Sequence, residues 1–319
     1  MPVVFVSAHY VARMIPWKKV LFSCCVFFST LLLIEGVCRV AGFGAKKSIH
    51  EDIANWEREY DGEFFVYTPD KDLINRDGLR DYPHAIENTA KRPRIICLGD
   101  SVTYGYGLAP MQAYPLQLQQ VLAPTKAEVF NVALPGWATR QQHIAWNRIA
   151  RKYKPNLVIL GICLNDVAEM QNNLAEPPAW LKWAYGNLNI VRALVRPDQA
   201  EIAQVEELFE TPEPPHVTNA YRLFFDELDQ LKKEILADGC GLVVIIFPFR
   251  LQLEEDAPPP IPQQRMMDHF NHTGTSASDL LSLFQENRPE EVFIDHDHLT
   301  AKACIRLAQA LGGLITKPN

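Results

Sequence analysis

Two runs in the chain, NLVILGICL at residues 156–164 and LVVIIFP at 242–248, are apolar at nearly every position. A strand with one wet face alternates apolar and polar side chains, so a run without alternation reads as a strand covered on both faces. Covering both faces takes helices above and below the sheet. Further strands are expected at residues 94–98 (RIICL), 128–132 (EVFNV) and 291–294. Helical stretches fall between them at 112–122, 140–154, 220–237 and 300–311. This alternation predicts a three-layer α/β/α sandwich around a mainly parallel five-stranded sheet. Ligands of such sheets sit at the carboxyl ends of the strands, so the residues that follow each apolar run are where chemistry is expected.

Four blocks stand there. The first is Gly99-Asp100-Ser101-Val102-Thr103. A serine on a tight glycine turn can present its hydroxyl and its backbone N–H to a ligand, although Gly-Asp-Ser is also ordinary turn chemistry. Thr103 stands where the GxSxG elbow of α/β-hydrolases needs glycine, which excludes that motif. The second block, Asn131 to Trp137, contains Pro135-Gly136, either a simple turn or a place where backbone N–H approaches a ligand. The third ends in Asn165-Asp166; the amide can donate to an oxyanion, or the pair can cap the next helix. The fourth is Asp295-His296-Asp297-His298-Leu299-Thr300. Asp295 and His298, three apart, can face each other on one turn, so that the carboxylate fixes the imidazole tautomer and supports its charge. Two rival readings apply to this block. One is metal binding, for which no further ligands at matching spacing appear; the other is that Asp297 caps the last helix. His269 and His272 lie in a polar, loop-like stretch and read as solvated.

Charge separates the chain into two parts. Residues 1–50 hold Arg13, Lys18, Lys19, Arg39, Lys46 and Lys47 against Glu35 alone, a charge of +5; the overall charge of -7 leaves -12 for the remaining residues. An acidic body argues against nucleic-acid binding, which needs a basic face. Residues 20–34 (VLFSCCVFFSTLLLI) are uncharged and follow Lys18 and Lys19. Extended to Phe43, the segment is long enough to cross the ~30 Å hydrocarbon layer. Glu35 and Arg39 can pair four apart on one helix face or reach for the interface, with Trp17 and Phe43 near the two surfaces. The positive flank comes first, so residues 1–19 are expected in the cytoplasm, 20–43 as a single-pass anchor in the cytoplasmic membrane, and the body on the periplasmic side. A cleaved signal peptide and a helix buried in a soluble core are the alternatives. Residues 44–91 read as a spacer that becomes an ordered strap. The seven cysteines show no CxxC and read mostly as small core residues, which leaves the redox compartment open.

In this order and at these strand ends, the four blocks resemble the SGNH (GDSL-type) hydrolase superfamily, in a membrane-anchored bacterial form. The resemblance covers about residues 92–314 and implies a flavodoxin-like α/β domain, residues 92–317, with an insertion at about 167–218. It also implies Ser101 as nucleophile, His298 as base and then acid, and Asp295 as the residue that orients it. The backbone N–H groups of Ser101 and Gly136 and the Asn165 amide would form the oxyanion hole, with Gly99 and Asp100 supporting the nucleophile loop. No metal and no organic cofactor is implied. The first block reads Val102 where the family name has leucine, a change expected to point into the core.

An exported, tethered esterase meets envelope molecules, so an O-acyl ester, acetyl first, on an envelope carbohydrate is the expected substrate. Lipase- or thioesterase-like hydrolysis and acyl transfer to a polysaccharide are alternatives. A silent envelope-polysaccharide binding or assembly component is the non-enzyme reading. Residues 179–196 place apolar side chains at helical spacing, with Trp180, Trp183 and Tyr185 adding aromatic surface. That stretch reads as a core cover, a lid or acyl platform, a membrane-surface helix or a sugar-stacking face. No nucleic acid is expected as a partner, and nothing in the sequence points to a protein partner.

Overall fold

A computed structural model describes residues 17–44, 58–60, 64–69, 74–169, 178–194 and 197–316. In chain order its elements are α1 (Trp17–Ala41), β1 (Arg58–Tyr60), β2 (Phe65–Tyr67), β3 (Arg94–Gly99), α2 (Ser101–Tyr104), α3 (Tyr114–Val121), β4 (Glu128–Ala133), α4 (Thr139–Ala145), β5 (Leu157–Ile162), α5 (Leu164–Glu169), α6 (Ala179–Asn187), α7 (Asn189–Leu194), α8 (Pro197–Glu206), α9 (Pro215–Ala237), β6 (Gly241–Ile246), α10 (Ile261–His272), β7 (Ser276–Asp279), α11 (Leu281–Phe284), α12 (Pro289–Val292) and α13 (Ala301–Thr316). They fall into two compact units, one holding α1 and residues 183–194, the other holding the remainder.

In the larger unit five strands form a sheet in the order β4-β3-β5-β6-β7, with every pairing parallel. All six residues of β3 are buried, as are the last five of β4 and of β5. For β5 this is the covering on both faces that its unalternating run predicts; β6 is buried only at Val244, Ile245 and Ile246, its first three residues being exposed or half-buried. The long α9 supplies part of that cover, burying Val217, Ala220, Tyr221, Phe224, Leu228, Leu231 and Ile235 at spacings of three and four. Strand order reverses between β3 and β5, and a sheet of this kind opens a crevice for ligands at that point.

Three sequence expectations change. The fifth strand is β7, residues SASD, not residues 291–294. Pro289 opens the short helix α12 there, and Phe293 makes only an isolated bridge with Leu299. The edge strand β7 is partly exposed and pairs with β6 alone, so it needs no apolar run. The single helix expected over 140–154 ends at Ala145 and continues through a wide turn at Trp146–Ala150 and a tight one at Arg151–Tyr153. Pro155 follows and disfavours helical backbone at Lys154, which sits at φ 50. His269 and His272 belong to α10, not to a loop, and the His269 ring stacks on Phe225 at 3.9 Å. Cys97, Cys163, Cys240 and Cys304 are buried and free, as small core residues.

The strap beyond β2 is pinned by buried polar groups. The Asp81 carboxylate accepts the Asn131 backbone N–H of β4 at 2.8 Å. The Arg94 guanidinium ties the strap carbonyls of Ala85 (2.7 Å) and Ile86 (2.8 Å) to Glu128 (2.9 Å) and to the Tyr153 carbonyl (2.8 Å). Arg80, also buried, donates to the carbonyls of Tyr104, Gly105 and Leu108, the loop that leaves α2.

In the smaller unit α1 has 25 residues, about 37 Å of helix, and among the described residues it is the one helix long and apolar enough to cross a membrane. Phe22, Phe28, Leu32 and Leu33 stay exposed, which does not fit a helix buried in a soluble core. The predicted pair forms, with Arg39 Nε 2.7 Å from Glu35 Oε1. Glu35 also accepts the backbone N–H groups of Asn189 (3.0 Å) and Ile190 (2.9 Å), and so caps the start of α7 from another element.

Candidate active site

Every block named from the sequence lies at the carboxyl edge of the sheet. Asp100, just after β3, accepts the Val102 N–H at 2.9 Å and caps α2, whose first residue is Ser101. Val102 is buried, as expected. Gly99 is required by close packing: a Cβ there would fall 2.1 Å from Thr103 Oγ1. Gly161 on β5 faces the same hydroxyl, where a Cβ would lie 2.6 Å away. Thr103 therefore seats the α2 turn directly against β3 and β5, a reason for threonine that the sequence did not disclose. Gly136 follows β4 at φ +83, a left-handed position that side-chain-bearing residues rarely adopt. Asn165 is the second residue of α5 and is buried. The capping work there falls to its neighbour: Asp166 accepts the Cys163 N–H at 2.9 Å, which leaves the Asn165 amide to face other partners.

His298 Nδ1 lies 2.8 Å from Asp295 Oδ2 and 3.0 Å from Oδ1. Asp295 is held in turn by the backbone N–H groups of Asp297 (3.2 Å) and His298 (3.0 Å). The three-residue spacing closes on one turn, as predicted. Tyr106 links this pair to the serine. Its ring lies 4.6 Å from the His298 ring, and its N–H bonds to the Ser101 carbonyl at 3.0 Å. His298 Nε2 is buried without a hydrogen-bond partner.

Two residues enlarge the site beyond the sequence reading. Asp297 is fully buried, and its Oδ1 lies 2.9 Å from His298 Nδ1 without hydrogen-bond alignment. It does not cap the last helix; Thr300 does, through Oγ1 to the Ala303 N–H at 3.2 Å. Glu201, on α8 of the insertion, accepts a 2.6 Å bond from Asn165 Nδ2. The position of Tyr106 beside the serine block is a local signal that the sequence offered; Glu201 has none.

The electrostatics are acidic. Burial disfavours charge on His298, but the carboxylates of Asp297 and Asp295 outweigh it and hold the imidazole well above its ordinary pKa. Burial would raise Asp295, yet bonds to His298 keep it below the usual carboxylate range. Asp100 is pushed up to about 7 by burial and by the Asp297 carboxylate, with the Val102 N–H and His298 opposing. His296 is raised to about 9: burial opposes its charge, while Glu201 and Asp297 favour it. Ligand atoms of Glu201, His296 and Asp297 converge within 4.8 Å, a spacing that could suit a cation; an imidazolium at His296 already places positive charge there.

A serine turn joined through Tyr106 to a carboxylate-held imidazole whose Nε2 has no hydrogen-bond partner is suited to acyl transfer. Residues 97–277 match the family model described as GDSL-like lipase/acylhydrolase. The chain belongs to that family. As a member of the GDSL-like lipases and acylhydrolases it is an ester-bond hydrolase, and the family span runs from β3 into β7. A search of curated proteins finds no match. Solved structures similar to this chain include a GDSL-like lipase from Bacteroides thetaiotaomicron (12% identity, TM-score 0.44, covering 73% of this chain and 91% of that one). A catalytic mutant of an acetylxylan esterase from Geobacillus stearothermophilus is similar at 16% identity, TM-score 0.45, with 71% and 95% covered. A lipase/acylhydrolase from Enterococcus faecalis is similar at 14% identity, TM-score 0.45, with 71% and 98% covered.

Proposed function

We propose that this chain is a serine esterase that hydrolyses an O-acyl ester, acetyl first, on a cell-envelope carbohydrate. In this reading α1 anchors it in the cytoplasmic membrane and the catalytic domain, residues 92–317, lies outside. The observation that carries the chemistry is the His298 imidazole, with Nδ1 committed to Asp295 at 2.8 Å and Nε2 left without a partner near the serine turn. Nε2 takes the Ser101 hydroxyl proton as Oγ attacks the acyl carbon, and the carbonyl π bond opens to an oxyanion. The backbone N–H groups of Ser101 and Gly136 and the Asn165 amide stabilise that charge; one such donor is worth about 3–4 kcal/mol in comparable sites. The tetrahedral species collapses, the C–O bond to the alcohol breaks, and His298 protonates the leaving oxygen. Water, deprotonated by the same Nε2, then releases the acid and restores Ser101. No step calls on a cofactor. Support for an envelope substrate comes from the anchor and its charge, since a domain exported next to the membrane meets envelope esters first.

A fluorophosphonate probe asks only whether the serine is activated. The detergent-solubilised chain is expected to label at Ser101 alone, and Ser101→Ala to lose the label; equal labelling of both would overturn the nucleophile assignment. A periplasmic alkaline phosphatase fused after Asn319 is expected to be active in cells, and an active cytoplasmic reporter there would reverse the orientation.

A further inference from the structure

We infer that Glu201, on the insertion helix α8, is a positioning residue that fixes the Asn165 amide and, with His296, clasps the insertion to the hydrolytic site. The inference rests on the reading above in one respect, that Asn165 faces the oxyanion.

The geometry is specific. Glu201 Oε1 takes one N–H of the Asn165 amide at 2.6 Å, and the same oxygen lies 3.4 Å from His296 Nε2. The His296 side chain is held between Glu201 and Asp297 Oδ1, 3.4 Å away, while its carbonyl accepts the Arg250 N–H at 2.8 Å from the segment after β6. An amide group carries two N–H donors in one plane. A strong acceptor on one of them sets that plane and so aims the other. Asn165 Oδ1 is buried with no partner, so among the described contacts it is the Glu201 bond that orients this side chain. A bare carboxylate at this place would oppose an oxyanion. The imidazolium of His296, favoured by the pKa shift to about 9, offsets its charge at neutral pH. The acid and the histidine therefore belong together: one aims the donor, and the other cancels the field of the aiming group. Neither touches the reacting atoms.

Turnover of 4-nitrophenyl acetate by the full chain in detergent tests this. Glu201→Ala is expected to lower kcat about 10- to 30-fold with KM within twofold, a fraction of the roughly 100- to 1000-fold that loss of a whole oxyanion donor costs. Glu201→Gln, whose Oε1 still accepts the amide, is expected to stay within about threefold of wild-type kcat, by the same argument. In an Asn165→Ala background, Glu201→Ala is expected to add less than about twofold, because its target is gone. Glu201→Met, of similar volume and without an acceptor, repeats the test should the alanine variant fold poorly. Wild-type kcat in both Glu201→Ala and Glu201→Met, or a loss of the same size with and without Asn165, overturns the inference. Failure of the underlying reading looks different: Asn165→Ala alone would then leave kcat unchanged.

Discussion

Asp295→Asn is expected to lower kcat/KM for a short-chain nitrophenyl ester by about 10³- to 10⁴-fold, the size seen when a triad carboxylate is replaced by an amide in other hydrolases, whereas Asp297→Asn is expected to cost less than about tenfold at its own pH optimum. Both carboxylates lie within 3 Å of His298 Nδ1, at 2.8 and 2.9 Å, so distance alone does not separate them. Alignment does. Asp295 accepts the ring N–H with good geometry and is itself fixed by two backbone N–H groups. An asparagine there can offer its own N–H to Nδ1 and hold the ring in the wrong tautomer, with Nε2 protonated and unable to act as base. Asp297 Oδ1 makes no aligned bond, so its replacement removes charge and leaves the tautomer in place.

The charge that Asp297 contributes has its own signature. In the proposed mechanism His298 is the base and must be neutral in the free enzyme, so kcat/KM is expected to fall as pH drops through its pKa. That pKa is raised well above the ordinary imidazole value, with Asp297 the largest of the raising influences. The acidic limb of the wild-type profile is thus expected above pH 6.5, and Asp297→Asn is expected to move it to lower pH. A limb that stays in place in Asp297→Asn, together with a 10³-fold loss, would exchange the roles of the two acids.

The parts of this site that the sequence disclosed share a physical cause. Strands covered on both faces must be apolar throughout, so β5 and the buried second half of β6 announce themselves, and the chemistry of a parallel sheet collects just beyond such strands. Ser101, Gly136 and Asn165 could be named because they follow β3, β4 and β5; the Asp295–His298 turn follows α12 rather than a strand, and its three-residue spacing is what made it legible. What stayed hidden is held by tertiary contact. β7 is four residues at a partly exposed edge, kept by its ladder with β6, and SASD carries no periodicity to betray it. Glu201 is 36 residues beyond Asn165, on a helix whose sequence says nothing about which face meets the sheet. Arg80 lies in a polar stretch crowded with Arg76, Asp77, Asp81 and Tyr82. Nothing local marks Arg80, rather than its neighbour Arg76, as folded inward.

That burial makes Arg80 the second large expectation: Arg80→Met destabilises the larger unit by about 3–5 kcal/mol and lowers kcat even where the chain is folded. The guanidinium is 2% exposed, lies 3.8 Å over the Tyr104 ring and donates to three carbonyls, at 2.6 Å (Tyr104), 2.8 Å (Gly105) and 3.0 Å (Leu108). Methionine retains much of the aliphatic stem but no donor: the Leu108 carbonyl loses its Arg80 bond, and those of Tyr104 and Gly105 keep only the Asn131 amide at 3.5 Å and the Leu108 N–H at 3.1 Å, a loss of about 1–3 kcal/mol for each bond to the charged group. Relief from desolvating a cation returns part of that, which sets the net figure below the sum. For a domain of this size the melting temperature falls by roughly 2–4 °C per kcal/mol. The same loop carries Tyr106, packed on His298, so loosening it also misplaces the imidazole and reduces kcat. Exposed Arg76 provides the control, and Arg76→Ala is expected to change stability by less than about 0.5 kcal/mol. Urea denaturation of the two variants separates the cases. Equal midpoints would mean that the strap merely lies on the domain; a shift confined to Arg80→Met, with kcat falling alongside, means that the strap holds the wall on which His298 rests.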